Sequence, residues 1–301
     1  MAAHRQAVAS PSLEIHRNVT VRRAKPEDAE ICGRICYEAF KTISEKHGFP
    51  PDFPSPDIPV AVLSMMFSTP TFYAVVAEVD GRIVGSNCLD ERGVIAGVGP
   101  ITVDPKVQDR SIGRRLMIAV LERATEKQAP GVRLVQTAFH NRSLSLYAKL
   151  GFDAREPLSV MQGAALNTRF DGYRVRHAED ADVEECNHLC YRVHGHHRGG
   201  ELVAAIKRGT AKIVEYSGRI SGYANGLGFF DHAVGESNRE IQALIADAPQ
   251  FVGPGILVPT RNAELFRWCL NQGLRVVQPM TLMSLGLYNE PAGAWLPSVL
   301  Y

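Results

Sequence analysis

The sequence contains no block of lysines or arginines, no RNA-binding signature and no zinc-finger spacing, and its 33 Lys+Arg against 32 Asp+Glu leave a formal net charge of +1. That balance argues against a dedicated nucleic-acid binder. Also absent is any apolar run of membrane-span length, and the opening MAAHRQAVASPSLE lacks the apolar centre of a secretory signal. We therefore expect a soluble, cytoplasmic protein with no membrane contact and a flexible tail over residues 1–17. The cysteine pairs Cys32/Cys36 and Cys186/Cys190 lack a second ligand pair at metal-binding distance in the sequence. They read as reduced, small apolar packing residues on helix faces, and no metal site is expected. The HGHHRGG run, His194 to Gly200, is expected to face solvent, as consecutive histidines in a glycine-rich loop more often do, rather than to hold a metal.

At 301 residues the chain is about twice a typical domain. An internal repeat supports two. VRRAKPEDAEICGRICYEAF from Val21 and VRHAEDADVEECNHLCYRVH from Val175 share eight of twenty positions in register, where chance gives roughly one or two. Each half also carries a GRI-x-G turn, at Gly81 and Gly218, and an asparagine-led helix ending in glycine, NRSLSLYAKLGF from Asn141 and NAELFRWCLNQGL from Asn262. The expected boundary is a linker over residues 164–172, between units at 18–163 and 173–301.

In the first unit, Val19 to Arg23 reads as a strand, and Pro26, Glu27 and Asp28 open a helix to about Phe40. The proline-rich His47 to Pro59 is a connection, followed by a short helix around Val60 to Phe67. Phe72 to Val79, Arg82 to Leu89 and Val98 to Asp104 form an antiparallel meander. A helix runs from about Ser111 to Lys127, and Val132 to Phe139 is a strand. Asn141 caps a short helix ending at Gly151, and Phe152 to Met161 supplies a pair of final strands. The turn from strand to helix at Asp104 to Gly113 can hold a pyrophosphate. Unpaired amides at a helix start and the helix dipole favour an anion, Ser111 and Gly113 admit close approach, and Arg110, Arg114 and Arg115 add positive charge.

This order of elements, with NRSLSLYAKLGF close to an N-x5-Y-x3-G-F pattern and QDRSIG standing where a Q/R-x-x-G-x-G/A motif is usual, resembles the GNAT superfamily of N-acetyltransferases, from about Val19 to Gly163. The resemblance implies an α/β (α+β) fold of two GNAT-like domains, each a mixed, mostly antiparallel sheet flanked by helices. It implies acetyl-CoA as co-substrate, with the main-chain groups of Ile101, Thr102 and Val103 on its pantetheine arm. The amides of Gln108, Asp109, Arg110, Ser111, Ile112, Gly113 and Arg114 would hold its pyrophosphate, and Asn141 would touch the arm. Ser111 departs from the family's usual glycine. Tyr147 matches the family's general acid for the departing thiolate, a transfer uphill by roughly 2 kcal/mol in water given a phenol near 10 and a thiol near 8.5.

Acetyl transfer to an alkyl amine also wants a base, because an amine with pKa about 10.4 costs about 4 to 5 kcal/mol to deprotonate at pH 7. The strand before the turn offers only Asp104, and Asp90, Glu91 and His140 are the other nearby candidates. Phe49, Asp52, Phe53 and Asp57 in the proline-rich connection can enclose an apolar group carrying a cation, which makes this loop the candidate acceptor wall. The second half has GESN in place of the small-residue turn and Cys269 in place of Tyr147, so it is expected to keep the fold without the chemistry. Its candidate roles are to cover the open sheet, complete the acceptor cleft or form a homodimer, and the apolar WLPSVLY end is expected to pack on a neighbouring surface. Two other functions fit the same residues: a non-catalytic acyl-CoA sensor, and an acyltransferase for longer acyl groups or a non-amine acceptor.

Overall fold

The computed structural model describes residues 19–107 and 111–300; the expected flexible tail and the anion-turn residues Gln108, Asp109 and Arg110 lie outside them. The first half runs β1 (Val19–Arg23), α1 (Ala29–Lys46), α2 (Asp57–Ser68), β2 (Phe72–Val79), β3 (Arg82–Asp90), β4 (Ala96–Val98), β5 (Thr102–Val103), α3 (Ile112–Glu126), β6 (Gly131–Thr137), α4 (Asn141–Lys149) and β7 (Asp153–Gln162). The second half runs β8 (Tyr173–His177), α5 (Val183–His194), α6 (Gly199–Arg208), β9 (Lys212–Tyr216), β10 (Arg219–Ala224), β11 (Ala233–Gly235), α7 (Asn238–Asp247), β12 (Ile256–Pro259), α8 (Ala263–Asn271), β13 (Arg275–Gly286) and β14 (Ala294–Leu296). No described helix is long and apolar enough to cross a membrane.

The repeat is reproduced down to its ion pairs. Arg22 grips Asp28 at 2.7 and 3.0 Å and Glu78 at 2.9 Å. Arg176 grips Asp182 at 2.7 and 2.8 Å and Glu215 at 2.8 Å. In each copy the aspartate also accepts the amide at the start of the following helical turn, Lys25 or Glu179, at 2.8 Å. Both hairpin turns, Asp80–Gly81 and Ser217–Gly218, have positive φ at both residues, the geometry whose twist suits a two-residue hairpin. The cysteine pairs are free thiols buried under α1 and α5.

The arginine beside each aspartate holds its carboxyl below the ordinary value. A depressed carboxylate adds stability above its unfolded pKa, near 4, and loses it as pH falls through the folded value. Asp28→Asn is therefore expected to cost about 2 kcal/mol at pH 7. Urea midpoints of wild type and variant should converge as pH is lowered below 4; a gap that stays constant with pH would refute the pairing.

The sheets do not respect the sequence halves. One carries the order β1-β2-β3-β4-β6-β13-β7-β12, with β5 on β3, and the other is β14-β11-β10-β9-β8. Thus β13, from the second half, lies between β6 and β7, while β7, from the first, lies between β13 and β12. The expected pair of strands over Phe152 to Met161 is corrected to a single long strand, whose neighbours both come from the second half. On one face of the larger sheet α3 and α4 cover a core that includes Val84, Leu134 and Met283; on the other, α1 and α2 cover Ala74, Val76 and Cys88.

Candidate active site

The site starts from a break between parallel neighbours. β4 pairs with β6 only at Ala96↔Val132 and Gly97↔Arg133. The chain then turns at Gly99 and Pro100, whose ring removes a ladder donor. Beyond it β5 pairs with β3, at Gly85↔Val103 and Ser86↔Thr102, while the rest of β6 pairs with β13. Among the described residues no ladder joins β5 to β6, so residues 101–104 and 134–138 form the walls of a wedge. Two buried polar atoms in these walls, Thr102 Oγ1 and Gln136 Nε2, have no hydrogen-bond partner, although Gln136 Oε1 accepts from Ser143 at 3.0 Å. A gap between two strands that no ladder joins fits an extended ligand carrying amide groups.

The wide end of the wedge meets the start of α3. Ser111 stands just before the helix with φ 58°, ψ 14° and makes no side-chain cap, so it leaves the first amides open. A Cβ added at Gly113 would lie 3.5 Å from Leu146 on α4 and 3.9 Å from Val103, so the helix start lies within ordinary contact distance of the wedge wall. Ile112 is buried and Arg114 exposed. Arg115 does not join the anion turn as the sequence suggests, because its guanidinium donates to the Val19 carbonyl at 2.8 Å. The left-handed backbone at Ser111 is what the family's glycine accommodates without strain. Ser111→Gly is expected to raise the unfolding free energy by about 1 kcal/mol. Denaturant unfolding checks this, and a destabilised variant would count against the strain.

Tyr147 projects from α4 into the apolar core shared with α3, 6.2 Å between ring centres from Phe152. Burial alone pushes its pKa above the ordinary phenol value, so the hydroxyl stays protonated. Asn141 is the first residue of α4 and not its cap. His140 occupies the cap position, and neither residue's side chain bonds the helix amides. In the second half the corresponding Asn262 does cap, accepting from the Leu265 amide at 3.2 Å. The motif's register thus places the cap one residue earlier in α4 than its sequence suggests.

Three of the four base candidates are committed elsewhere. Asp104 accepts from Arg82 and the Lys106 amide, both at 2.9 Å. Asp90 pairs with Arg92, and Glu91 pairs with Arg123 at 2.6 Å. His140 is held neutral, its pKa lowered by burial and by Arg142, His47 and Lys46. The proline-rich loop closes the opposite face. Phe49 stacks on Phe139, at the end of β6, with centroids 4.2 Å apart and planes 6° from parallel. Phe53 is buried edge-on to Phe40, and Asp52 is buried and accepts from Gln278 of β13 at 2.7 Å. Asp57 is exposed at the start of α2. The sequence alone gave no sign of Gln278, 226 residues from its partner.

The second half has filled its own wedge. β14 pairs antiparallel with β11, at Ala233↔Leu296, Val234↔Trp295 and Gly235↔Ala294, on the edge where the first half leaves β5 open. The start of α7 is closed by a reciprocal cap: Ser237 accepts from the Arg239 amide, and the Glu240 carboxylate takes the Ser237 amide and hydroxyl at 2.9 and 2.7 Å. Its own carboxylate therefore occupies the place of an anion. Cys269, in the position of Tyr147, is a buried thiol pushed up to about 12. The expectation that the histidine run faces solvent is corrected. His194 and His196 are 3% and 6% exposed and stack 5.8 Å apart, with Trp295 edge-on to His194. No metal-holding cluster of His, Cys, Asp or Glu occurs among the described residues.

Comparison with known proteins bears on both halves. Residues 37–152 match the model of the acetyltransferase (GNAT) family. No curated protein matches the chain. Of solved structures, a protein from Pyrococcus horikoshii assigned as an acetyltransferase is similar over 95% of this chain and 97% of its own, at 18% identity and TM-score 0.70. A GCN5-related N-acetyltransferase from Sphaerobacter thermophilus is similar over 93% and 98%, at 17% identity and TM-score 0.60. A tandem GNAT protein from the clavulanic acid biosynthesis pathway is similar over 89% and 98%, at 13% identity and TM-score 0.54. At such identities the likeness speaks for the fold, and it extends over both halves of the chain.

Proposed function

We propose that the protein transfers an acetyl group from acetyl-CoA to a primary amine by direct attack, at one active site per chain, because residues 37–152 match the GNAT acetyltransferase family model and the second half repeats the fold of the first. The open wedge between β5 and β6, with Tyr147 buried on its α3–α4 side, is the observation that carries this reading. Acetyl-CoA supplies an acyl group already activated as a thioester. The main-chain groups of Ile101, Thr102 and Val103 would line its arm, Asn141 at the start of α4 would touch it, and the amides from Ser111 to Arg114 would face its pyrophosphate. The sequence assigns Gln108, Asp109 and Arg110 to the same turn.

Tyr147 donates a hydrogen bond to the thioester sulfur and passes it a proton as the C–S bond breaks. Its raised pKa makes full transfer steeper than the roughly 2 kcal/mol expected in water. Contact therefore precedes transfer, and the buried site strengthens that hydrogen bond as charge grows on sulfur. The second half contributes structure: β13 completes the first half's sheet, and its own wedge and helix start are already taken.

Thiol release from acetyl-CoA, measured with a panel of primary amines, tests the proposal. Amine-dependent release with one-to-one formation of an acetamide is expected. Binding of acetyl-CoA with no transfer to any amine would replace it with a sensor role, and preference for a longer acyl group would replace the donor.

A further inference from the structure

Asp52 is a buried carboxylate with no ion pair to a cation among the described residues. It is 7% exposed, and Gln278 Nε2 at 2.7 Å is its one hydrogen-bond donor among the described residues. Of the protein's other buried carboxylates, Asp28, Asp90, Asp104, Glu156 and Asp182 each hold an arginine, and Glu240 takes two donors from Ser237, its amide and its hydroxyl. A buried anion without a counter-charge is costly unless something supplies one. Its neighbour poses the same question, because Gln278 is 1% exposed and its Oε1 has no partner. Gln278 Oε1, a buried acceptor, and the carboxylate oxygen that Gln278 does not use have no charged donor among the described residues.

Their place in the fold says what that donor is. Asp52 adjoins Phe53, which packs with Cys36 and Cys88 on the face of the sheet opposite Tyr147. The Cys88 carbonyl accepts from the Gly99 amide at 3.0 Å, where the wedge begins. Gln278 stands on the other side, next to Pro279, whose carbonyl accepts from the Ala138 amide at 3.1 Å. The pair therefore spans the wedge from beneath, with the Phe49–Phe139 stack beside it.

We propose that Asp52 and Gln278 form the acceptor subsite and take the ammonium of an arylalkyl primary amine, with Asp52 as the base that removes its proton. This rests on the transferase reading above. An ammonium has three donors, enough for both oxygens with one to spare, and the stacked phenylalanines offer its apolar body a flat surface. The protons balance. Asp52 takes one from the ammonium; the freed lone pair forms the C–N bond as the C–S bond breaks; Tyr147 gives its proton to sulfur and receives the second proton leaving nitrogen. The amide keeps the third.

The test is calorimetric titration of 2-phenylethylamine into the CoA-saturated protein, run beside amine-dependent thiol release from acetyl-CoA. Asp52→Asn is expected to bind the amine about tenfold more weakly or worse and to lose about 100-fold or more of the amine-dependent rate. Its CoA affinity should be unchanged and its melting temperature unchanged or higher, since an uncompensated buried charge is gone; a purely structural Asp52 would lower it. Gln278→Met, which keeps the carboxylate, should weaken amine binding about fivefold, and it decides the matter if Asp52→Asn does not fold. Wild type that fails to bind the amine, or variants that bind it equally well, would overturn the subsite. Amine binding that depends on Asp52 without any acetyl transfer would leave the subsite standing and remove the transferase reading instead.

Discussion

Tyr147→Phe is expected to lower kcat for acetyl transfer by about 100-fold to 10,000-fold while leaving acetyl-CoA affinity within about twofold. The ring fills the core between α3 and α4, in contact with the cluster that includes Ile112, Leu116 and Phe152, and phenylalanine fills the same space. Stability should change by less than about 1 kcal/mol, because the ring's packing is kept and its hydroxyl has no hydrogen-bond partner among the described residues. The loss then falls on the step in which sulfur becomes charged, so amines with better nucleophilicity should not rescue it. Pre-steady-state thiol release measures this step directly. An unchanged rate would mean that the thiolate leaves without this phenol.

Residues 19–163 expressed alone are expected not to form a stable domain, although they contain every motif of the active half. β13 pairs with β6 at seven positions and with β7 at nine, and Met280, Leu282 and Met283 on it are almost wholly buried. Burial of three such side chains contributes about 5 to 8 kcal/mol, comparable with the entire stability of an ordinary domain. Without β13 the facing edges of β6 and β7 would be open and prone to pair with other chains. Aggregation, or a urea transition displaced far below that of the whole chain, is the expected result. Recovery on co-expression with residues 164–301 would follow from the strand exchange. A soluble fragment with a wild-type transition would show that β13 is dispensable.

Much of the site was legible because its residues follow one another closely in the chain. The start of α3, the small residues at Ser111 and Gly113 and the tyrosine of α4 lie on segments whose periodicity fixes their elements. The repeat was equally plain, and the structure adds to it an ion-pair cluster that recurs around Asp28 and Asp182. The exchange of β7 and β13 was not legible. Alternation identifies a strand and its buried face without naming its partner, and two copies of one fold offer equivalent partners. The same limit applied to Asp52. Composition marked it as a wall residue, while its isolation from any cation depends on Gln278 and on where every arginine lies. His194 and His196 misled because a glycine-rich histidine run looks solvated, whereas Trp295 of β14 returns edge-on to His194 and His194 in turn stacks on His196.

The central claim is that this chain of two similar domains has one acyl-CoA site, in the wedge beside Tyr147. Calorimetric titration of the full chain with CoA tests it most directly, alongside Gly113→Trp, which would thrust a ring against Leu146 and Val103 at the wedge. One CoA per chain is predicted, with binding lost in the variant while the fold persists. Two per chain, or one that the variant leaves intact, would contradict it.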